Sequence, residues 1–287
     1  MSNKALMWTT TFQTPATSQP VTLQGFGMPG KRPGQTRSPV VIFFHGGLFN
    51  AGNIEEAFAL ATALTDQALT DQALTDQALT DQENQAIVVC VDYPLAPEVK
   101  FPATIEVAFA ALQWVVDNAR QVGADSKRIF VAGEHAGGNL AAVVAMLFRD
   151  RAMTFNKQTI LAGQILINPM LDALQTSKSM GAAADSPCRR AWAEYIPTAS
   201  DCIHPYASPL HSCRLGGLAP ATIMTTESHP LRDEAEAYAA KLLLAGVPVQ
   251  VRRLGDSTHP LTSPLHPCFN NLTQLIRQVL LDKSTAG

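Results

Sequence analysis

The chain has 287 residues, 46% of them hydrophobic, with a formal net charge of −3. Such a chain can bury a large core as a single α/β domain over residues 1–287. The near-even charge excludes a basic field for nucleic acid or anionic lipid, and no apolar run approaches the roughly 20 residues of a membrane span. Residues 1–20 are polar and threonine-rich, without the apolar segment of a signal peptide, so a cytoplasmic location is expected. Two weak strands are predicted within residues 9–24. Stronger apolar runs follow at 40–44, 86–91, 128–133, 163–167, 221–225 and 249–254. Helical patterns fill 102–122, 138–149, 231–245 and 270–281. This alternation predicts an α/β fold, a mostly parallel central sheet flanked by helices.

Two segments interrupt the pattern. From Ala63 to Gln82 the sequence Ala-Leu-Thr-Asp-Gln occurs four times in tandem. All five residue types tolerate a helix, so one extended helix is predicted over about 54–84. Five residues advance about 500°, rotating each Ala-Leu pair about 140° from the last, which leaves no continuous apolar stripe. The repeat therefore reads as a duplication that lengthens a surface helix; the alternative is an arm packed on a second subunit in a homodimer. The other segment, about 170–215, is rich in Pro, Ser and Cys and is expected to form a small lid over the C-terminal edge of the sheet, where open α/β sheets place their sites. Three of the five cysteines (Cys188, Cys202 and Cys213) fall in it and would approach one another in a compact lid; Cys90 and Cys268 lie far off. Their odd number and wide spacing argue against a disulfide framework or a Cys-x-x-Cys metal site.

The chemistry-bearing motifs lie at predicted strand ends. Gly133-Glu134-His135-Ala136-Gly137-Gly138-Asn139 follows the run Arg128-Ile129-Phe130-Val131-Ala132 and has the outline of a nucleophile elbow, Gly-x-Ser-x-Gly, with His at its centre. His45-Gly46-Gly47-Leu48 follows another strand, and Asp92-Tyr93-Pro94-Leu95-Ala96-Pro97-Glu98 a third. Pro205-Tyr206-Ala207-Ser208-Pro209-Leu210 and His229-Pro230-Leu231-Arg232-Asp233-Glu234 come later, and then His259. In this order, from about residue 40 to the end, the chain resembles the hormone-sensitive-lipase-like carboxylesterases of the α/β-hydrolase superfamily.

The resemblance implies an α/β-hydrolase fold with a lid. It implies an oxyanion hole at the backbone N–H groups of Gly46, Gly47 and Ala136, and a site for a small-molecule substrate. It also implies that His135 stands at the nucleophile position, His229 at the acid position and His259 at the base position. Departures from the family pattern are the Leu48 and Pro94 replacements and Pro260 after the base position. His135 offers no hydroxyl and His229 no negative charge, so acyl-serine turnover is not expected, because an oxyanion hole alone leaves only residual catalysis.

Three neutral imidazoles converging on one point suit a metal ion, since three His with an open fourth position is a known catalytic zinc arrangement and copper or iron also accepts imidazole. His135, His229 and His259 are therefore both the catalytic candidates and the predicted ligands of a divalent transition metal (zinc or copper, with iron as a further choice). Asp256 and Glu227 could orient a ligand ring, or simply face water. Zinc would activate water against an ester-like carbonyl; copper or iron would favour oxidation. The alternatives are a catalytically inactive esterase homologue that binds a small ligand, and direct attack by His135 through an acyl-imidazole. Glu134 is expected to anchor the elbow and His45 to shape the oxyanion turn, while His204, His211 and His266 read as surface residues.

Overall fold

A computed structural model describes residues 6–27, 37–66, 86–156 and 158–282. Eight strands form one sheet in the order β1-β2-β4-β3-β5-β6-β7-β8. They are β1 (Leu6–Thr14), β2 (Thr17–Phe26), β3 (Ser38–Phe44), β4 (Ile87–Asp92), β5 (Ala124–Glu134), β6 (Leu161–Ile167), β7 (Ala221–Thr226) and β8 (Val249–Leu254). Pairing is antiparallel for β1 with β2 and for β2 with β4, and parallel from β4 through to β8. Every residue of β3 and β6 is buried, as befits strands covered on both faces.

The helices are α1 (Phe58–Thr65), α2 (Ala103–Asp117), α3 (Ala119–Val122), α4 (Ala136–Asp150), α5 (Lys178–Ala182), α6 (Pro187–Tyr195), α7 (Arg232–Leu244) and α8 (Phe269–Leu281). The side-chain alternation of β3 divides the core in two. Val40, Ile42 and Phe44 pack in a cluster with apolar residues of α2, α4 and α7, whereas Val41 and Phe43 pack in another with α1 and α8. Helices thus cover both faces, and the predicted α/β-hydrolase architecture is present.

The predicted 102–122 helix is divided at Asn118, whose backbone leaves helical geometry (φ −101°, ψ 10°) while its side chain caps the Trp114 carbonyl at 2.8 Å. The repeat beyond Asp66 lies outside the described residues, so the extended helix is described only as far as Thr65. Between β6 and β7 the chain forms α5, α6 and short 3₁₀ turns at Ala199–Ile203 and Pro209–His211. No cysteine is in a disulfide. Among the described residues no helix is long and apolar enough to cross a membrane.

Candidate active site

The strand order reverses direction at β3, which has β4 on one side and β5 on the other. The loops that leave the carboxyl ends of β3 and β5 are therefore adjacent, in the position where open α/β sheets form their sites. The approach is close. A Cβ on Gly137 would collide with the Phe44 carbonyl, and one on Gly133 with the Gly137 backbone. Glycine lets the turn after β5 fold tightly against β3.

At the apex of that turn His135 has φ 50° and ψ −111°, a conformation most residues with a Cβ avoid. Its N–H donates to the Ile167 carbonyl at 3.0 Å, and its carbonyl accepts from Asn139 and Met170. The strain is held from both sides by β6 and α4. Glu134, next to it, is buried and accepts from Leu261 N–H (3.0 Å) and from the Thr262 hydroxyl. Burial raises its pKa to about 7 against those hydrogen bonds. Glu134 thus ties the elbow to the loop after β8, the anchoring role expected of it.

The loop after β3, where the oxyanion hole is expected, is tightly built. His45 is buried, stacks on Tyr93 at 4.1 Å between ring centroids, and directs Nδ1 at the Gly46 carbonyl (2.9 Å); the Tyr93 hydroxyl donates to the His45 carbonyl. Burial lowers the His45 pKa to about 4, so its ring is neutral. Gly47 has φ +82°, and a Cβ there would strike the Ala51 carbonyl. Ala136 opens α4 and is buried. Phe49, just beyond the loop, is stacked on Tyr195 of α6 at 3.8 Å and 1° and also touches Trp192. Asn50 donates to Glu194 at 2.8 Å. Helix α6 therefore packs directly on the loop after β3, a coupling that no sequence motif signalled.

Two of the three predicted histidines meet. His135 Nε2 and His229 Nε2 lie 3.3 Å apart, with the rings near parallel (14°). His229 Nδ1 accepts from Leu231 N–H at 3.2 Å. Its proton must then sit on Nε2, so His229 donates and His135 Nε2 accepts. Burial lowers the His135 pKa to about 4, opposed by a backbone hydrogen bond with Gly47. Burial and then the charge of His135 lower that of His229 to about 3, opposed by Asp256. Both rings are neutral at pH 7.

The third histidine is not part of this contact. His259 is exposed, with its N–H on Ser257 Oγ at 3.2 Å, and its charge bears on His266. Among the described residues no three His, Cys, Asp or Glu side chains come together as a metal-holding group. The expected convergence of three rings is corrected to a pair. The reason lies in the loop after β8, which leaves His259 exposed to solvent while His135 and His229 are drawn into a contact of their own. Asp256 accepts from Ser228 N–H at 2.9 Å and so braces the loop that carries His229. Glu227 is exposed and lies 3.8 Å from the Arg253 guanidinium.

Two histidines read as surface residues are otherwise. His266 is buried, and its Nδ1 accepts from Cys268 N–H. His211 Nε2 lies 2.8 Å from Asp172, which is fully buried. His204 is exposed, as expected.

A strand–turn–helix elbow, a glycine-bearing loop beside it and a lid between β6 and β7 define an α/β hydrolase. A family model described as the alpha/beta hydrolase fold matches residues 41–263, and the chain belongs to that family. It is 37% identical over 232 residues to carboxylesterase NlhH of Mycobacterium tuberculosis, covering 77% of this chain and 66% of that one. It is 32% identical over 232 residues to an arylesterase of Saccharolobus solfataricus, covering 78% and 69%. The chain thus spans about two thirds of the length of these relatives. Among solved structures, the thermostable carboxylesterase EstE1 from a metagenomic library aligns with a TM-score of 0.78 at 30% identity, covering 98% of this chain and 90% of that one.

Proposed function

We propose that this chain, a member of a family of esterases, binds small carboxylic esters or acids at the His135 turn without serine-type turnover. The relatives named as carboxylesterase and arylesterase supply the ligand class. The carrying observation is the His135–His229 contact at 3.3 Å. His135 takes the nucleophile position and His229 the acid position of the family, and the lone pair that would attack a carbonyl is engaged by the His229 N–H. With a pKa of about 4, His135 is also a poor general base, since an effective one lies near the working pH. The backbone N–H groups of Gly46, Gly47 and Ala136 would donate to the ligand's carbonyl oxygen.

The test follows the imidazole NMR signals of His135 and His229 while phenyl acetate or methyl butanoate is added, with hydrolysis measured in parallel. Saturable shifts of both rings are expected, with hydrolysis no faster than in His135→Ala. An absence of shifts, or a fall in turnover of tenfold or more in His135→Ala, would overturn the reading.

A second reading, a divalent metal on the same pair, is favoured by one distance. Two nitrogens about 2.0–2.1 Å from one tetrahedral cation are separated by about 3.3 Å, the separation found between the two Nε2 atoms. Under this reading His259 would enter from its loop as the third ligand and the chemistry would be metal-dependent hydrolysis or oxidation. Elemental analysis of untagged protein decides it: near-stoichiometric zinc, copper or iron that disappears in His135→Ala or His229→Ala supports it, and metal-free protein rejects it.

A further inference from the structure

Strand β6 ends at Ile167, yet its bonding to β7 runs on by one residue. In a parallel ladder a residue donates its N–H to one partner and accepts, at its own carbonyl, from the N–H two places further along that strand. Asn168 keeps the first bond, from its N–H to the Met224 carbonyl at 2.8 Å. Its side chain makes the second: Thr226 N–H donates to Asn168 Oδ1 at 3.1 Å. The backbone explains the exchange. Asn168 has φ 39°, so its main chain has already turned out of the sheet. Asparagine is one of the few residues with a Cβ that visit this region readily, and its side chain carries the carbonyl oxygen of an amide. Both residues are buried, so a Thr226 N–H deprived of that oxygen would lose a hydrogen bond that water could not replace.

The same turn serves the elbow. On one side of Asn168 the Ile167 carbonyl accepts from His135 N–H at 3.0 Å, and on the other Met170 N–H donates to the His135 carbonyl at 3.0 Å. Thr226, held by the Asn168 amide, accepts in turn from His229 N–H at 3.3 Å. Asn168 therefore stands between the backbones of both histidines. Its main chain leaves the sheet to grip one, and its side chain completes the sheet to hold the other. The contact between the two Nε2 atoms at 3.3 Å closes this ring of bonds, and a hydrogen bond of that length has little slack.

We propose that Asn168 is the positioning residue that sets the His135–His229 contact, and through it the site for a carboxylic ester or acid; the ligand class alone rests on the function proposed above. Hydrogen exchange and imidazole NMR on the full chain test it. In the unaltered protein the Thr226 N–H should exchange as slowly as that of Met224. Asn168→Gly keeps the positive φ and removes the oxygen. The His135 and His229 imidazole signals should both shift, while that of His204, outside the ring of bonds, stays in place. Affinity for phenyl acetate should fall about fivefold or more, the scale of one lost hydrogen bond. Asn168→Asp, which retains an acceptor oxygen and tolerates the same φ, should return both imidazole signals towards wild type. General loosening would move His204 as well. The proposal is overturned if the wild-type Thr226 N–H exchanges as fast as that of exposed Glu227. It is equally overturned if both imidazole signals stay in place in Asn168→Gly, or if Asn168→Asp displaces them as far as Asn168→Gly does. Shifted imidazoles in a chain that binds no phenyl acetate would uphold the role of Asn168 and reject the ligand. Unmoved imidazoles with phenyl acetate bound equally by both proteins would do the reverse.

Discussion

Two imidazoles meet at the elbow, and the turn that carries His135 is tightly built. His135 keeps a positive φ, and its neighbours Gly133 and Gly137 still leave no room for a Cβ. On the mapping proposed above, geometry and side-chain chemistry have come apart at this position, which makes the position restorable. The double change His135→Ser with His229→Asp shortens one side chain and returns a carboxylate to the other, opening the gap between the loops for His259. Esterase activity on short p-nitrophenyl esters should rise at least tenfold above wild type, whereas His135→Ser alone should gain far less, since triad members act as a unit. A folded double variant no more active than wild type would show that the positions are wrongly mapped or that His259 does not enter. The motif glycines and the tight turn after β5 were legible in the sequence. The direct His–His contact was not, because motif spacing places backbones and says nothing of how far two rings reach across a gap.

At the level of elements, the sheet was legible for a plain physical reason. Buried parallel strands carry continuous apolar runs, and the five predicted at 40–44 through 221–225 overlap β3 to β7, while the run at 249–254 overlaps β8, an edge strand half open to solvent. The outer hairpin β1–β2 was fainter because β1 alternates between half-buried and exposed residues. The lid was visible only as an interruption, since its short helices are positioned by tertiary contacts such as Phe49 on Tyr195. That contact joins two elements far apart in sequence and carries a prediction. Phe49 is 1% exposed between Trp192 and Tyr195, so Phe49→Ala should cost about 3–5 kcal/mol of stability. It should also loosen the Gly46–Gly47 loop. Chemical denaturation measures the first effect. Faster amide exchange at Gly46 and Gly47, with unchanged exchange in β7, separates a local release of the loop from general softening. If Phe49→Ala costs less than about 1 kcal/mol, the lid does not hold the loop through this stack.

At the scale of the molecule, three buried histidines and two buried carboxyls with large shifts shape how stability responds to pH. His45, His135 and His229 have pKa values of about 4, 4 and 3 in the folded protein against an ordinary 6.5. Glu134 and Glu234 stand at about 7 and 8 against 4.5, raised chiefly by burial. Above pH 6.5 the histidines are largely neutral in both folded and unfolded chains and contribute little slope. The two carboxyls are then ionised in the unfolded chain but still protonated in the fold, so the folded state binds more protons. Stability must fall as pH rises through 7 and 8. Below 6.5 the unfolded chain protonates its histidines while the fold cannot, so their contribution is lost as pH falls towards 4. The carboxyls offset part of that loss down to about pH 4.5. The thermal midpoint should accordingly be lower at about pH 8.5 than at about pH 6.5. Glu134→Gln and Glu234→Gln, which mimic the protonated acids, should each flatten that decline. For Glu134 the amide can still accept from Leu261 N–H and exchange a hydrogen bond with Thr262, so the anchor of the elbow survives the change. A midpoint that holds or rises between those two pH values would mean that the carboxyls are ionised in the fold, and that Glu134 braces the His135 turn as an anion.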